Sequence, residues 1–145
     1  MQEQRLTLRL KTYWELIRKT NDQPDIMQFN SAVVEDLWPN CLKVSVAGQG
    51  KYHVFKYDYM GDPLVKLYGT DLSGQIVERA SSDFAGMVIN AKLEKVANEG
   101  VPMLDEGHFI TRKGQMIKYR SCLLPFSNKK GNLTHIIVGI SYRSF

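Results

Sequence analysis

The sequence holds only two cysteines in 145 residues, Cys41 and Cys122. They stand far apart without C-x-x-C spacing, so the pattern gives no support to a zinc site. The sequence itself leaves a disulfide between them open. Long apolar runs are missing as well: no stretch approaches the roughly 18–20 apolar residues of a membrane span. Charges recur every few positions from Met1 to Thr20, which excludes the apolar core of a secretory signal. A cytoplasmic location with both thiols free is the expectation. No G-x-S-x-G, H-E-x-x-H or phosphate-loop pattern occurs, nor any internal repeat or low-complexity stretch.

A dense basic stripe is also absent. The formal net charge is +4, from 19 basic and 15 acidic residues. The cations are scattered, and the tightest group, Arg5, Arg9, Lys11, Arg18 and Lys19, falls along the first helix. A solvated helix face explains that group better than a nucleic-acid or lipid surface. What is present is ordinary for one globular domain, with 43% hydrophobic and 23% charged residues. That length and composition leave room for a real core.

Periodicity divides the chain. Leu6, Leu10, Tyr13, Trp14 and Ile17 recur at helical spacing and predict an amphipathic helix over 6–19. A second helix is expected over 25–37, with Ile26, Phe29, Val33 and Leu37 on its apolar side. Its propensity is poor, so it must depend on docking. From Cys41 the period becomes two. Leu42, Val44 and Val46 mark a strand, and Lys51 to Tyr59 its hairpin partner across Gly48-Gln49-Gly50. His53, Phe55, Tyr57 and Tyr59 share the face read as inner. Three glycines, Gly61, Gly69 and Gly74, then bracket two short segments, as positive φ angles would require. Leu64, Val65, Leu67 and Tyr68 are too few for an independent helix and must be held by the sheet.

A longer helix is expected over 81–97, capped by Ser81 or Ser82. Phe84, Met87, Val88 and Ala91 face inward; Lys92, Glu94, Lys95 and Glu99 face out. Three strands close the chain: 107–111, 116–126 and 133–142. The last is apolar on both sides, which suggests a central strand or one packed by helices. The fold class is therefore α+β, a single domain over 1–145 with a five-stranded antiparallel sheet and helices over one face. Residues 1–40 form an N-terminal helical extension, with two extra helices, and 41–145 the core.

Several elements together resemble the PAS domain, in particular the single-domain subfamily widespread in alphaproteobacteria with an N-terminal Tyr-Trp helix. They are Tyr13-Trp14 with Ile17; Pro24-Asp25-Ile26; Leu37-Trp38-Pro39; Tyr57-x-Tyr59-x-Gly61; Leu67-Tyr68-Gly69-x-Asp71-Leu72-x-Gly74; and Leu123-Leu124-Pro125. The resemblance implies strand order 2-1-5-4-3, a small pocket under the helices, and a role in sensing, protein contact or dimerisation rather than catalysis. It makes the stretch from Gly61 to Gly74 a pocket wall. Haem-binding relatives carry a histidine on the long helix, where this chain has none. Light-sensing flavin relatives carry an Asn-Cys-Arg-Phe type motif, absent here. No cofactor and no metal are expected.

The candidate pocket residues are Phe55, Tyr57, Tyr68, Met87, Tyr119, Leu123 and His135. The aromatics among them are more simply the core between sheet and helices, which in this fold overlaps the pocket. Leu10, Tyr13, Trp14 and Ile17 are either a dimer contact or the seam by which the first helix folds back on its own sheet. The expected function is that of a stand-alone signalling module acting through a small ligand, a signalling protein partner or a second copy. The mechanism is a biased repacking of the wall and the first helix. The alternative is a small enzyme built on Asp71, His135 and Tyr119, with a carboxylate and histidine converging in a cleft.

Overall fold

The computed structural model describes residues 2–48, 52–78, 88–111 and 113–144. Five strands, β1 (Cys41–Ala47), β2 (Val54–Met60), β3 (Met103–Ile110), β4 (Met116–Ser127) and β5 (Leu133–Ser144), form one antiparallel sheet. Their order is β2-β1-β5-β4-β3, as expected. Among the described residues three helices pack on it: α1 (Gln2–Arg18), α2 (Asp62–Tyr68) and α3 (Ile89–Glu99). The start expected for the long helix, with Ser81, Ser82, Phe84 and Met87, lies outside the described residues, as does most of the turn between β1 and β2.

Both faces of the sheet are covered. Strand alternation sends Val44, Phe55, Leu123, Ile136 and Val138 to the inner face, under Leu64 of α2 and Leu93 and Val96 of α3. The intervening residues Cys41, Cys122, Leu124 and Ile137 meet Leu6, Leu10 and Trp14 of α1 on the outer face. This double duty is why β5 reads apolar on both sides. Of the two uses open for the α1 stripe, the structure shows the fold-back: Leu10 and Trp14 are buried against the chain's own sheet, and Tyr13 and Ile17 are half-buried beside them. Burying one leucine fully is worth about 1.5–3 kcal/mol. The helix is seated by Gly139, where an added Cβ would stand 2.3 Å from Leu10 Cδ1. It is anchored by the Trp14 indole, which donates to the Pro125 carbonyl at 2.7 Å. Carbonyl and amide of one strand residue point to the same side. The hydrogen that Pro125 lacks therefore faces away from β5, beyond the end of β3, and breaks no ladder bond.

The helix expected over 25–37 is not formed. Three 3-10 turns replace it, Ile26–Gln28, Ser31–Val34 and Trp38–Asn40. Asp25 and Asn30 are the cause. Their side chains accept from Met27 N at 2.9 Å and Ala32 N at 3.0 Å, so each starts a new turn. Phe29 between them is extended. Its ring packs on Tyr13, Trp38 and Phe126, with centroids 5.6, 5.3 and 5.5 Å away. Tertiary packing of one aromatic has overridden a weak helical pattern.

A bulge corrects the facing of β2. Val44 pairs with Tyr57 and Lys43 with Tyr59, leaving Asp58 as the extra residue. Phe55 and Tyr57 point inward as expected, whereas Tyr59 is turned outward and stacks on Trp38 at 4.6 Å with planes 7° apart. The two sheet edges differ. Residues 74–77 run along β2, with Tyr57 N donating to Gln75 O and Val77 N to Phe55 O. At the other edge β3 is longer than expected, starting at Met103.

Candidate functional site

The wall begins where β2 meets the outer layer. Gly61 has φ −64° and ψ 149°, an extended conformation open to any residue, so positive φ is not the reason for glycine here. Proximity is the reason. A Cβ on Gly61 would lie 1.7 Å from the Pro39 carbonyl oxygen and 2.4 Å from its carbon. Gly61 N also donates to Cys41 O at 3.0 Å. Tyr59 completes the joint by donating its hydroxyl to Trp38 O at 3.2 Å. Helix α2 follows with Pro63 in its first turn, where a missing amide hydrogen costs nothing. It ends on Gly69, whose φ of 108° and bond to Val65 O are the expected glycine stop. Gly74, at φ 86°, is the second positive-φ position. Leu64 is fully buried in the inner core, and Tyr142 of β5 donates to the Pro63 carbonyl at 3.3 Å.

The candidate pocket residues separate into three groups. Phe55, Tyr57, Tyr119 and Leu123 are brought together, each 4% exposed or less, in the cluster between the sheet and α2–α3. Tyr68 reaches that cluster only in part. With Leu67, Thr111 and Lys113 it lines a groove of about 340 Å3 at the rim. His135 is on the wrong side. It shares its face with Ile137, not Ile136, so it points to the outer layer. There its Nδ1 meets Thr134 Oγ1 at 2.9 Å, and its Nε2 stands 3.8 Å from Asp58. Burial and Lys43 hold this imidazole below its ordinary range, with Asp58 pulling the other way. Met87 lies outside the described residues.

The enzyme constellation does not assemble. Asp71 is exposed in a turn, where its carboxylate accepts from Ser73 N at 2.9 Å and sits below the usual range through its bonds to Ser73. Tyr119 faces the inner core and His135 the outer. The three have no common cleft.

A polar cluster that the sequence reading missed stands at the inner rim. Lys92 of α3 donates to Asp105 of β3 and, at 2.8 Å, to the Tyr119 hydroxyl of β4. Tyr119 donates in turn to the same Asp105 oxygen at 3.0 Å. Gly107 makes room for the tyrosine, since a Cβ there would lie 3.1 Å from its hydroxyl oxygen. Burial pushes the Asp105 carboxyl up, but the bond and charge of Lys92 and the bond from Tyr119 outweigh it, and the net shift is downward. Burial and Asp105 raise the Tyr119 phenol. Nearby, Glu94 accepts from His53 N at 2.7 Å and meets His53 Nδ1 at 2.9 Å. Lys92 and Glu94 thus turn back onto the sheet instead of facing solvent, because long side chains at a helix flank can curl over its apolar edge. Helical spacing alone carries no signal for that. Alternation of Asp105 with Met103 and Phe109 on one face of β3 was the available clue.

These bonds join α3 to β3 and β4. Asp105→Asn is expected to cost about 1–2 kcal/mol at neutral pH, as a charge-assisted hydrogen bond does. Since folding depresses this carboxyl, its contribution is present above the ordinary carboxylate range and is lost as pH falls below that range through the lowered value. Urea midpoints of wild type and variant should therefore converge in acid; a gap that stays constant down to pH 3 would rule out this ionic origin.

Among the described residues no group of His, Cys, Asp or Glu could hold a metal ion, and no helix is long and apolar enough to cross a membrane. Comparison with known proteins places this geometry. A family model described as PAS domain matches residues 2–141. The PAS domain of Bordetella pertussis BvgS superposes with a TM-score of 0.51 at 15% identity, covering 92% of this chain and 85% of that one. A cysteine-to-serine variant of Vivid gives 0.52 at 12% identity over 91% and 98%. The photo-excited blue-light photoreceptor Vivid gives 0.51 at 12% over 91% and 93%. No curated protein sequence matches significantly.

Proposed function

We propose that this chain, which belongs to the PAS domain family, is a sensory and interaction module of signal transduction whose output is a joint repacking of the α2 wall and the α1 layer. One observation carries the reading: the backbone contact of Gly61 with Pro39. Through it the inner wall touches the outer layer directly. Trp38 leads on to Phe29, and Phe29 to Tyr13 of α1. A small ligand, a protein partner or a second copy that favours one position of α2 biases this whole chain of contacts, because packed aromatics rearrange together. We read the Tyr13-Trp14 helix as the mark of the single-domain alphaproteobacterial subfamily, and the cytoplasm as its location.

The experiment uses the two tryptophans, Trp14 and Trp38, the only ones in the sequence. Leu64→Ala perturbs the wall from the inner cluster, whereas both tryptophans belong to the outer one. In a 1H–15N spectrum both indole signals should shift. If neither responds, the coupling is wrong. Native mass spectrometry of gently purified protein then separates the ligand route from the others, as a retained small molecule supports it and a bare chain points to protein partners.

A further inference from the structure

The open edge of β3 is self-complementary. Thr111 N donates to Gln115 O across the β3–β4 turn, so that pair is a bonded one. Bonded and non-bonded pairs alternate along an antiparallel ladder. With Ile110 opposite Met116 and Leu104 opposite Cys122, residues 103, 105, 107 and 109 bond to β4. The amides and carbonyls of Leu104, Glu106, His108 and Ile110 therefore point away from the sheet. Their side chains all stand exposed on the outer face, Leu104 at 59% and Ile110 at 63%. Among the described residues no segment covers this edge, unlike β2, which residues 74–77 close.

We propose that two copies of the chain pair antiparallel through this edge, about a twofold axis at Gly107, and join their sheets into one. In that register Leu104 faces Ile110 of the second copy and Glu106 faces its His108, with the symmetric pairs repeated. Every outward amide and carbonyl of these four residues meets its counterpart in a bonded pair. Apolar lies opposite apolar, and Glu106, paired in its own chain with Arg120 at 3.6 Å, lies opposite a histidine instead of a second carboxylate. Slipping the register by two residues either way puts Glu106 on Glu106 or His108 on His108. Parallel pairing brings like side chains together as well. Gly107 itself falls in a non-bonded pair at the axis, where backbones come closest, and its face is the inner one already occupied by Tyr119. An exposed strand edge is normally guarded against such pairing by its charges; here reversal sets no like charges opposite one another. The α1 stripe, buried on the outer face, is left out of this contact. A strand-edge contact is small, so the dimer is concentration-dependent.

Sedimentation equilibrium from micromolar to millimolar protein tests this. Wild type should show a reversible monomer–dimer equilibrium. His108→Pro removes an outward amide that the monomer does not use, a change an edge strand tolerates. It should raise the dimer Kd by about tenfold or more, with an unchanged far-ultraviolet dichroism spectrum. His108→Glu should weaken the dimer too, and Glu106→Lys combined with His108→Glu should restore it. A chain that stays monomeric throughout, or a dimer indifferent to His108→Pro and to the charge exchange, overturns the proposal. Either result leaves the response of Trp14 and Trp38 to Leu64→Ala untouched, so the two readings fail separately.

Discussion

Gly61→Ala is expected to be among the most damaging single-methyl changes the chain can suffer. The added carbon would sit 1.7 Å from the Pro39 oxygen and 2.4 Å from the Pro39 carbonyl carbon. Both are backbone atoms, so no rotamer can relieve the contact. Overpacking against side chains costs about 1–3 kcal/mol. This position should lie at or above the top of that range, because relief requires moving the Trp38–Asn40 turn off β2. Gly69→Ala is the matched control. Gly69 has φ 108° but nothing within 4 Å of a built Cβ, so only backbone strain opposes the alanine. That strain is about 1–2 kcal/mol. Urea denaturation should place the variants in the order wild type, Gly69→Ala, Gly61→Ala. If Gly61→Ala proves the milder of the two, the Pro39 contact yields easily, and the link between wall and outer layer loses its physical basis.

That comparison also shows where the sequence speaks and where it is silent. Glycine spacing located the wall, because Gly69 ends α2 and Gly74 makes a turn, both at positive φ. It misjudged Gly61, whose role comes from Pro39, a residue more than twenty positions upstream. Alternation located the strands, and the two apolar sides of β5 marked it as central or helix-packed; it is both, though the cover of the outer face by α1 was not expected. The same alternation separated His135 from Ile136, so its place on the outer face was legible, and assigning it to the pocket ran against the pattern. The outward turn of Tyr59 was not legible. It follows from one extra residue, Asp58, and a bulge has no signature in residue type here. The missing helix over 25–37 was half legible: Asp25 and Asn30 are cap formers, and only the ring contacts of Phe29 decide that they win. The Lys92–Asp105–Tyr119 cluster depends on how α3 crosses the sheet, which helical periodicity does not encode.

The second large effect should come from Trp14→Ala. The indole is buried against β4 and gives the Pro125 carbonyl its partner. Removing a buried tryptophan side chain costs about 3–5 kcal/mol. Trp14→Phe should recover part of this, since it keeps most of the ring and forfeits the hydrogen bond, worth about 1–3 kcal/mol when the acceptor is left unpaired. Stability alone does not say which part of the molecule opens. The two thiols do. Cys41 and Cys122 flank Gly139 on neighbouring strands, directly beneath Leu10, and both are free. Burial pushes the Cys122 thiol up to about 12 and raises that of Cys41 as well. As reaction needs the thiolate, neither should react while α1 is seated. In Trp14→Ala, dilute urea should release α1 before the sheet melts. Thiol labelling at mildly alkaline pH should then accelerate by well over tenfold while the strand signal in circular dichroism persists. Gly139→Ala, which crowds Leu10 from the opposite side, should accelerate labelling in the same direction. Labelling that rises only in step with global unfolding, in both variants, would mean that α1 and the sheet form one cooperative unit. A layer of that kind could not move with the wall on its own, and any signal it carried would have to pass through the sheet itself.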